Sequence, residues 1–198
     1  MEGLNRALFL WLNAPDNPSH LSVALALFFA EYFIWLIPAT IAIVWLRGGE
    51  RTRKALIEAT VAASIGLCIN QLIGLAWMHP RPFVIGLGHI LVAHAPDSSF
   101  PSDHLTLWWS VAFALAMPGN FPRAGVLFAL LGLPIAWARI YVGVHFPFDM
   151  AGAAIVSLLS VGVTRRAIGP CLPHIFRAAT CIHCLLFSKF IALGWVRK

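Results

Sequence analysis

The sequence predicts an all-α integral membrane helical bundle of about five transmembrane helices, preceded by an N-terminal interfacial helix. Three observations predict it. Of 198 residues, 60% are hydrophobic and 11% charged, and the mean hydropathy is +0.81; an ordinary globular domain carries roughly 25% charged residues. Long apolar runs alternate with short polar breaks that hold most of the charge. At about 20 apolar residues per span, a chain of this length has room for five or six spans and short loops. A disordered chain and a separate soluble domain are both excluded.

The elements follow in order. In residues 1–18, Leu4, Leu8 and Leu12 recur at helical spacing with Ala7 and Trp11 beside them, which suits a short helix lying in the interface. No charged start, apolar core and cleavage site of a secretory signal is present there, and the Asn- and Pro-rich stretch 13–18 breaks the helix. The first span is 21–46, interrupted by Glu31 and Pro38, and a compact basic turn covers 47–54. The second, 55–77, contains Glu58, Asn70 and Gln71, so one of its faces should look toward other helices. A polar loop fills 79–103, and shorter spans follow at 105–117, 124–140 and 147–163. About 17 helical residues span only about 25 Å, less than a hydrocarbon core of about 30 Å. Their loop ends should sink below the headgroups. The tail 166–198 is apolar but broken by Pro173, His183 and Lys189, and reads as an interfacial or partly inserted cytoplasmic segment, a sixth span being the alternative. The chain is then one membrane-embedded domain with its catalytic core at 19–165.

Fourteen Lys and Arg against eight Asp and Glu give a formal charge of +6. The basic residues form no stripe of the kind nucleic acid requires, so no nucleic-acid partner is expected. They sort by side instead. With the 47–54 turn in the cytoplasm, 11 of the 14 fall inside, as the positive-inside rule demands. Of the three left outside, Arg81 and Arg139 lie in segments that the same topology brings together. The four cysteines, Cys68, Cys171, Cys181 and Cys184, make no disulfide framework; the CxxC spacing of Cys181 and Cys184 lacks a second pair.

Four outer segments carry chemistry: His79-Pro80-Arg81-Pro82, the run from Asp97 to His104, Arg139, and His145 to Asp149. Two arginines, two histidines and two helix starts on one face suit a phosphate, because the guanidinium fork bonds its oxygens bidentately and stays charged. Ser102 sits where a helix N-cap belongs, leaving the N–H groups of Asp103, His104 and Leu105 for an anion. Pro147 suits a first helical turn, which puts Asp149 within reach of His145; a carboxylate on one imidazole nitrogen fixes the tautomer and frees the other as nucleophile or base. Asp149 could equally serve as a helix-start charge. Glu31, inside a span, is expected to line a cleft or to meet Asn70 or Gln71. His89, His94, Asp97 and His104 have no recognised metal-ligand spacing, so no metal and no cofactor are expected.

Arg81-Pro82, then Pro101-Ser102-Asp103-His104, then Arg139 with His145 and Asp149 following resemble the three-part signature of the type 2 phosphatidic acid phosphatase superfamily, over residues 20–165. The 94–104 context and the terminal Gly194-Trp195-Val196-Arg197 resemble more narrowly bacterial undecaprenyl-diphosphate phosphatases of the bacitracin-resistance type. The resemblance implies a metal-independent, two-step phosphoryl transfer on a lipid diphosphate substrate, at the outer face of a bacterial cytoplasmic membrane, that returns the lipid carrier to cell-wall synthesis. It makes His145 the nucleophile, Asp149 its orienter and His104 the acid and then the base. Arg81, Arg139 and the N–H groups of Ser102 and Asp103 would hold phosphate. Three positions depart from the pattern: Gly74 stands where the family has Lys, Ala138 where it has Ser, and Asp103 where Gly is common. His79 is the nearest substitute for the missing lysine. Another lipid phosphate, such as phosphatidylglycerol phosphate or diacylglycerol diphosphate, is an alternative substrate, and an anion transporter is an alternative of another class.

Overall fold

The computed structural model describes residues 1–198. It is all-helical: α1 Glu2–Leu12, α2 His20–Leu27, α3 Leu36–Arg47, α4 Glu50–Ala76, α5 Asp103–Ala116, α6 Pro122–Tyr141, α7 Pro147–Val163, α8 Leu172–Leu186 and α9 Ser188–Ala192. α2 and α3 form one rod, His20–Arg47, through a π turn at Phe28–Tyr32 and a 3₁₀ turn at Phe33–Trp35. Pro38 accounts for that irregularity. It cannot donate to the carbonyl of residue 34, and its ring crowds that carbonyl, so the preceding turns change pitch.

Four helical stretches are long and apolar enough to cross a membrane: His20–Arg47, Glu50–Ala76, Pro122–Tyr141 and the continuous Pro147–Leu186. The fifth expected span, α5, has 14 residues and reaches about 21 Å. It needs no more, because α4, α6 and α7 surround it. Leu105, Trp108, Val111, Ala112 and Leu115 are all buried there. Close approach comes from small residues, Ala55, Ala59, Ala62 and Ala63 on α4, and from hydroxyls that bond across helices: Ser110 to Ser160 at 3.1 Å and Ser157 to the Thr106 carbonyl at 3.1 Å. Membrane helices associate through such contacts because lipid supplies no hydrophobic drive between them. The large apolar residues turn outward instead; Leu21, Trp35, Ile43, Leu130, Leu133, Ile155 and Leu159 are exposed, which is where acyl chains would lie.

Glu58 shows how the chain handles charge in that setting. It is buried and bonds Arg165 at 2.8 Å and Asn120 Nδ2 at 3.0 Å, so a buried carboxylate keeps its counter-ion. The tail packs at this same end. Leu172, Pro173 and Phe176 lie near Lys54, Ile57 and Glu58, and buried His183 meets Trp45 Nε1 at 3.2 Å and Arg53 Nη2 at 2.9 Å. Both ends of α8 therefore sit by the 47–54 turn, and the helix does not traverse the bundle.

α1 lies at the opposite end. Its buried residues are Asn5 and Phe9, while Leu4, Leu10 and Trp11 are exposed. An asparagine thus goes in beside Phe9 while large apolar side chains face out, as suits a helix whose outer solvent is lipid.

Candidate active site

The end of the bundle that holds α1 also holds the loop after α4, the start of α5, the end of α6 and the start of α7. His145, between α6 and α7, is 1% exposed. Pro147 starts α7, so Asp149 falls in the first turn and its Oδ2 lies 3.1 Å from His145 Nδ1. The same oxygen accepts from the Phe146 N–H at 2.8 Å and from the Ser99 hydroxyl. Asp149 is thus both orienter and helix-start charge. With Nδ1–H donating to the carboxylate, Nε2 carries the lone pair, and it receives Arg81 Nη1 at 3.2 Å. Burial, reinforced by the charges of Arg139 and Arg81, lowers the His145 pKa well below its ordinary value. The imidazole is neutral, as a nitrogen nucleophile must be.

The two arginines are almost wholly buried, 5% exposed for Arg81 and 2% for Arg139. Arg81 donates to the Val144 carbonyl at 2.8 Å and the Ser98 carbonyl at 3.2 Å, with Nε on Asp97 Oδ1 at 2.7 Å. Arg139 Nη1 reaches the Ala30 carbonyl at 3.3 Å and Glu31 Oε1 at 3.4 Å, and its Nη2 meets His94 Nε2 at 3.1 Å. His94 accepts that bond and its Nδ1 lies 3.1 Å from the Ala95 carbonyl, the arrangement of a neutral ring. Burial lowers its pKa, the Ala95 carbonyl partly opposing, and Arg81 and Arg139 add to the lowering. Each guanidinium has one carboxylate beside it, as a buried cation requires.

Glu31 therefore meets Arg139, not the expected Asn70 or Gln71. Those two hold Asp103 instead: Asn70 Nδ2 donates to Oδ1 at 2.8 Å and Gln71 Nε2 to Oδ2 at 3.4 Å. That draws the Asp103 carboxylate toward α4, while the N–H groups of Asp103, His104 and Leu105 make no backbone bond. Ser102 takes the N-cap position of α5, yet its buried hydroxyl makes no capping bond and has no partner. His104 stands in the first turn of α5, partly exposed, with no hydrogen bond to His145. His79 lies between Trp77, to which it is tilted, and Phe146, which it meets edge-on, with Nε2 3.8 Å from Glu2; no bond joins it to either arginine. Gly74 opens on a cavity of about 200 Å³ bordered by Asn70, Gln71, Ser98 and Asp103.

Ser99 joins the site without having been singled out, its only signal being its place in the polar run before Ser102; Asp97 and His94, weighed in the sequence only as metal ligands, meet the arginines instead. The assembly unites a neutral, oriented nucleophile, two buried guanidiniums and a helix start with free donors. These are the parts that in-line transfer of a phosphoryl group needs.

Comparison with known proteins agrees with that inventory. YbjG of Escherichia coli (strain K12) is 33% identical over 200 residues, covering 100% of this chain and 99% of its own. The undecaprenyl-diphosphatase BcrC of Bacillus subtilis (strain 168) is 33% identical over 156 residues, 79% of this chain and 80% of that one. The crystal structure of Aquifex aeolicus LpxE superposes with a TM-score of 0.67 at 22% identity, over 81% of this chain and 94% of that one, and so shares the fold. Residues 55–171 match the PAP2 superfamily, and with most of α4, all of α5 to α7, and Arg81, Asp97, Ser99, Arg139, His145 and Asp149 inside that match, the chain belongs to the PAP2 superfamily.

Proposed function

We propose that this membrane protein hydrolyses undecaprenyl diphosphate to undecaprenyl phosphate and inorganic phosphate through a phosphohistidine on His145. The observation that carries the reading is the buried His145–Asp149 pair at 3.1 Å with Arg81 on the free nitrogen. The name of the Bacillus relative supports the choice of lipid.

In the first step His145 Nε2 attacks the terminal phosphorus, and the bond from that phosphorus to the bridging oxygen breaks. His104 gives its proton to that oxygen, and undecaprenyl phosphate leaves. Asp149 stabilises the charge that grows on the imidazole. In the second step water attacks the phosphohistidine, His104 takes the water's proton, and phosphate departs with His145 neutral again. Arg81, Arg139, the N–H groups at the start of α5 and the unpartnered Ser102 hydroxyl hold the phosphoryl oxygens. Incoming phosphate must draw Arg81 off Nε2 and displace Asp97 and Glu31 from the arginines, an exchange of carboxylate for phosphate oxygen that leaves the guanidiniums paired throughout. No step calls for a metal. The basic 47–54 turn, read by the positive-inside rule, supports a site on the outer face of a bacterial cytoplasmic membrane, from which the product would re-enter cell-wall synthesis, with residues 19–165 as the proposed catalytic core.

Purified protein with a chelator present should release phosphate from undecaprenyl diphosphate. His145→Ala should abolish release, and His104→Ala should lower it by roughly 10²–10⁴-fold. Full activity in His145→Ala would overturn the mechanism; a preference for phosphatidylglycerol phosphate in a substrate panel would overturn the choice of lipid.

A further inference from the structure

The buried face of α1 and its C-cap carries two asparagines where an amphipathic helix buries apolar groups. Asn5 and Asn13 are 2% and 7% exposed and flank buried Phe9, so the three repeat at the i, i+4, i+8 spacing of one helical face. Burying two carboxamides is unfavourable unless they are bonded. The bonds they make all lead to segments that carry the site.

Asn5 Oδ1 accepts from the Phe148 N–H at 3.1 Å, an orphan donor of the first turn of α7 and the residue before Asp149. The Phe9 ring tilts onto Phe146, the residue after His145, at 5.3 Å between centroids. Asn13 Nδ2 donates to the carbonyls of Tyr141 at 2.9 Å, Ile140 at 3.3 Å and His89 at 2.9 Å, and its Oδ1 accepts from the His89 N–H at 2.6 Å. Ile140 follows Arg139 directly. One rigid helix thus grips the start of α7 at one of its ends and the finish of α6 at the other.

We infer that α1 is a positioning clamp for the reaction, in which Asn5 fixes the turn bearing His145 and Asp149 while Asn13 fixes the α6 terminus bearing Arg139. The inference rests on the reading of His145 as the nucleophile. Neither asparagine bonds His145, His104 or the arginines, so both act through the backbone they hold. Their chemistry differs in a way that can be tested. Asn5 serves as an acceptor only, which aspartate preserves; Asn13 serves chiefly as a donor to three carbonyls, which aspartate cannot replace.

The test is kcat and KM for phosphate release from undecaprenyl diphosphate by full-length wild type, Asn5→Ala, Asn5→Asp, Asn13→Ala and Asn13→Asp, each shown to be folded by thermal unfolding. A displacement of the reacting groups by about 1 Å can cost about 100-fold. Asn5→Ala should therefore lose about 10- to 100-fold in kcat with KM changed less than about threefold, and Asn5→Asp should recover to within about threefold of wild type. Asn13→Asp should stay as low as Asn13→Ala. Folded Asn5→Ala with wild-type kcat overturns the clamp, as does Asn5→Asp no better than Asn5→Ala; should the alanine variants fail to fold, the contrast between the two aspartate variants decides. Wild type inactive on undecaprenyl diphosphate would instead count against the choice of lipid. The clamp is then read from orthovanadate binding, which should weaken about tenfold in Asn5→Ala and recover in Asn5→Asp; equal affinity in all three overturns it.

Discussion

At the scale of single residues, the chemistry turns on one carboxylate oxygen. Asp149 Oδ2 gathers His145 Nδ1, the Phe146 N–H and the Ser99 hydroxyl, whereas Oδ1 has no partner. Three bonds on one atom fix the imidazole plane and hence the direction of the Nε2 lone pair. The pH dependence follows from the environment of the ring. A free histidine titrates near 6.5, and burial together with Arg139 and Arg81 drives the His145 value well below that. A lowered value means that the neutral form persists as pH falls through 6.5 and is lost only at more acid pH. In kcat/KM, which reports the free enzyme, the limb assigned to the nucleophile should therefore lie clearly below pH 6.5. A limb at or above 6.5 that is traced to His145 would contradict the buried, neutral ring.

At the scale of elements, the turn between α6 and α7 depends on a glycine. Gly143 has φ +86°, and a Cβ there would stand 2.0 Å from the His89 carbonyl oxygen. That closeness lets Leu91 N–H reach the Val142 carbonyl at 3.0 Å and holds the 89–91 stretch, with His94 just beyond it, against the turn that delivers His145. Gly143→Ala meets backbone and not a yielding side chain, so it should both destabilise the protein and lower kcat. Thermal unfolding and phosphate release measure the two effects, and wild-type values for both would show that the turn tolerates a side chain. What the sequence alone disclosed follows the same division. α7 was legible to the residue, 147–163, because Pro147 marks its start and the apolar run its length. The His145–Asp149 pair was legible because it is local. The partner of Glu31 was not, since it depends on how the π turn after α2 packs against α6, and Asp97 and Ser99 lie in a loop without periodicity. The contacts of α1 were not legible either: its leucine spacing marks an interfacial helix, but the inward turn of Asn5 and Asn13 depends on how α1 packs against α6 and α7.

At the scale of the whole molecule, charge is divided between two ends. Arg81 and Arg139 sit at one, each beside a carboxylate and bonded to a backbone carbonyl. At the other lie the 47–54 turn and the tail, stitched together where Arg53 meets His183 and the Arg197 carbonyl and where the Arg197 N–H meets the Leu46 carbonyl at 3.0 Å. The fold places the tail beside that turn, and the orientation proposed from the positive-inside rule would put both in the cytoplasm. The two buried arginines do not oppose this orientation, because their charge is spent within the protein. A cysteine placed at exposed Ala95, in a background lacking Cys68, Cys171, Cys181 and Cys184, should react with a membrane-impermeant thiol reagent on intact cells. One placed at exposed Glu50 should react only after the membrane is opened. The reverse pattern would put the phosphoryl site in the cytoplasm and remove the argument for an outward-facing enzyme, while leaving the His145 chemistry untouched.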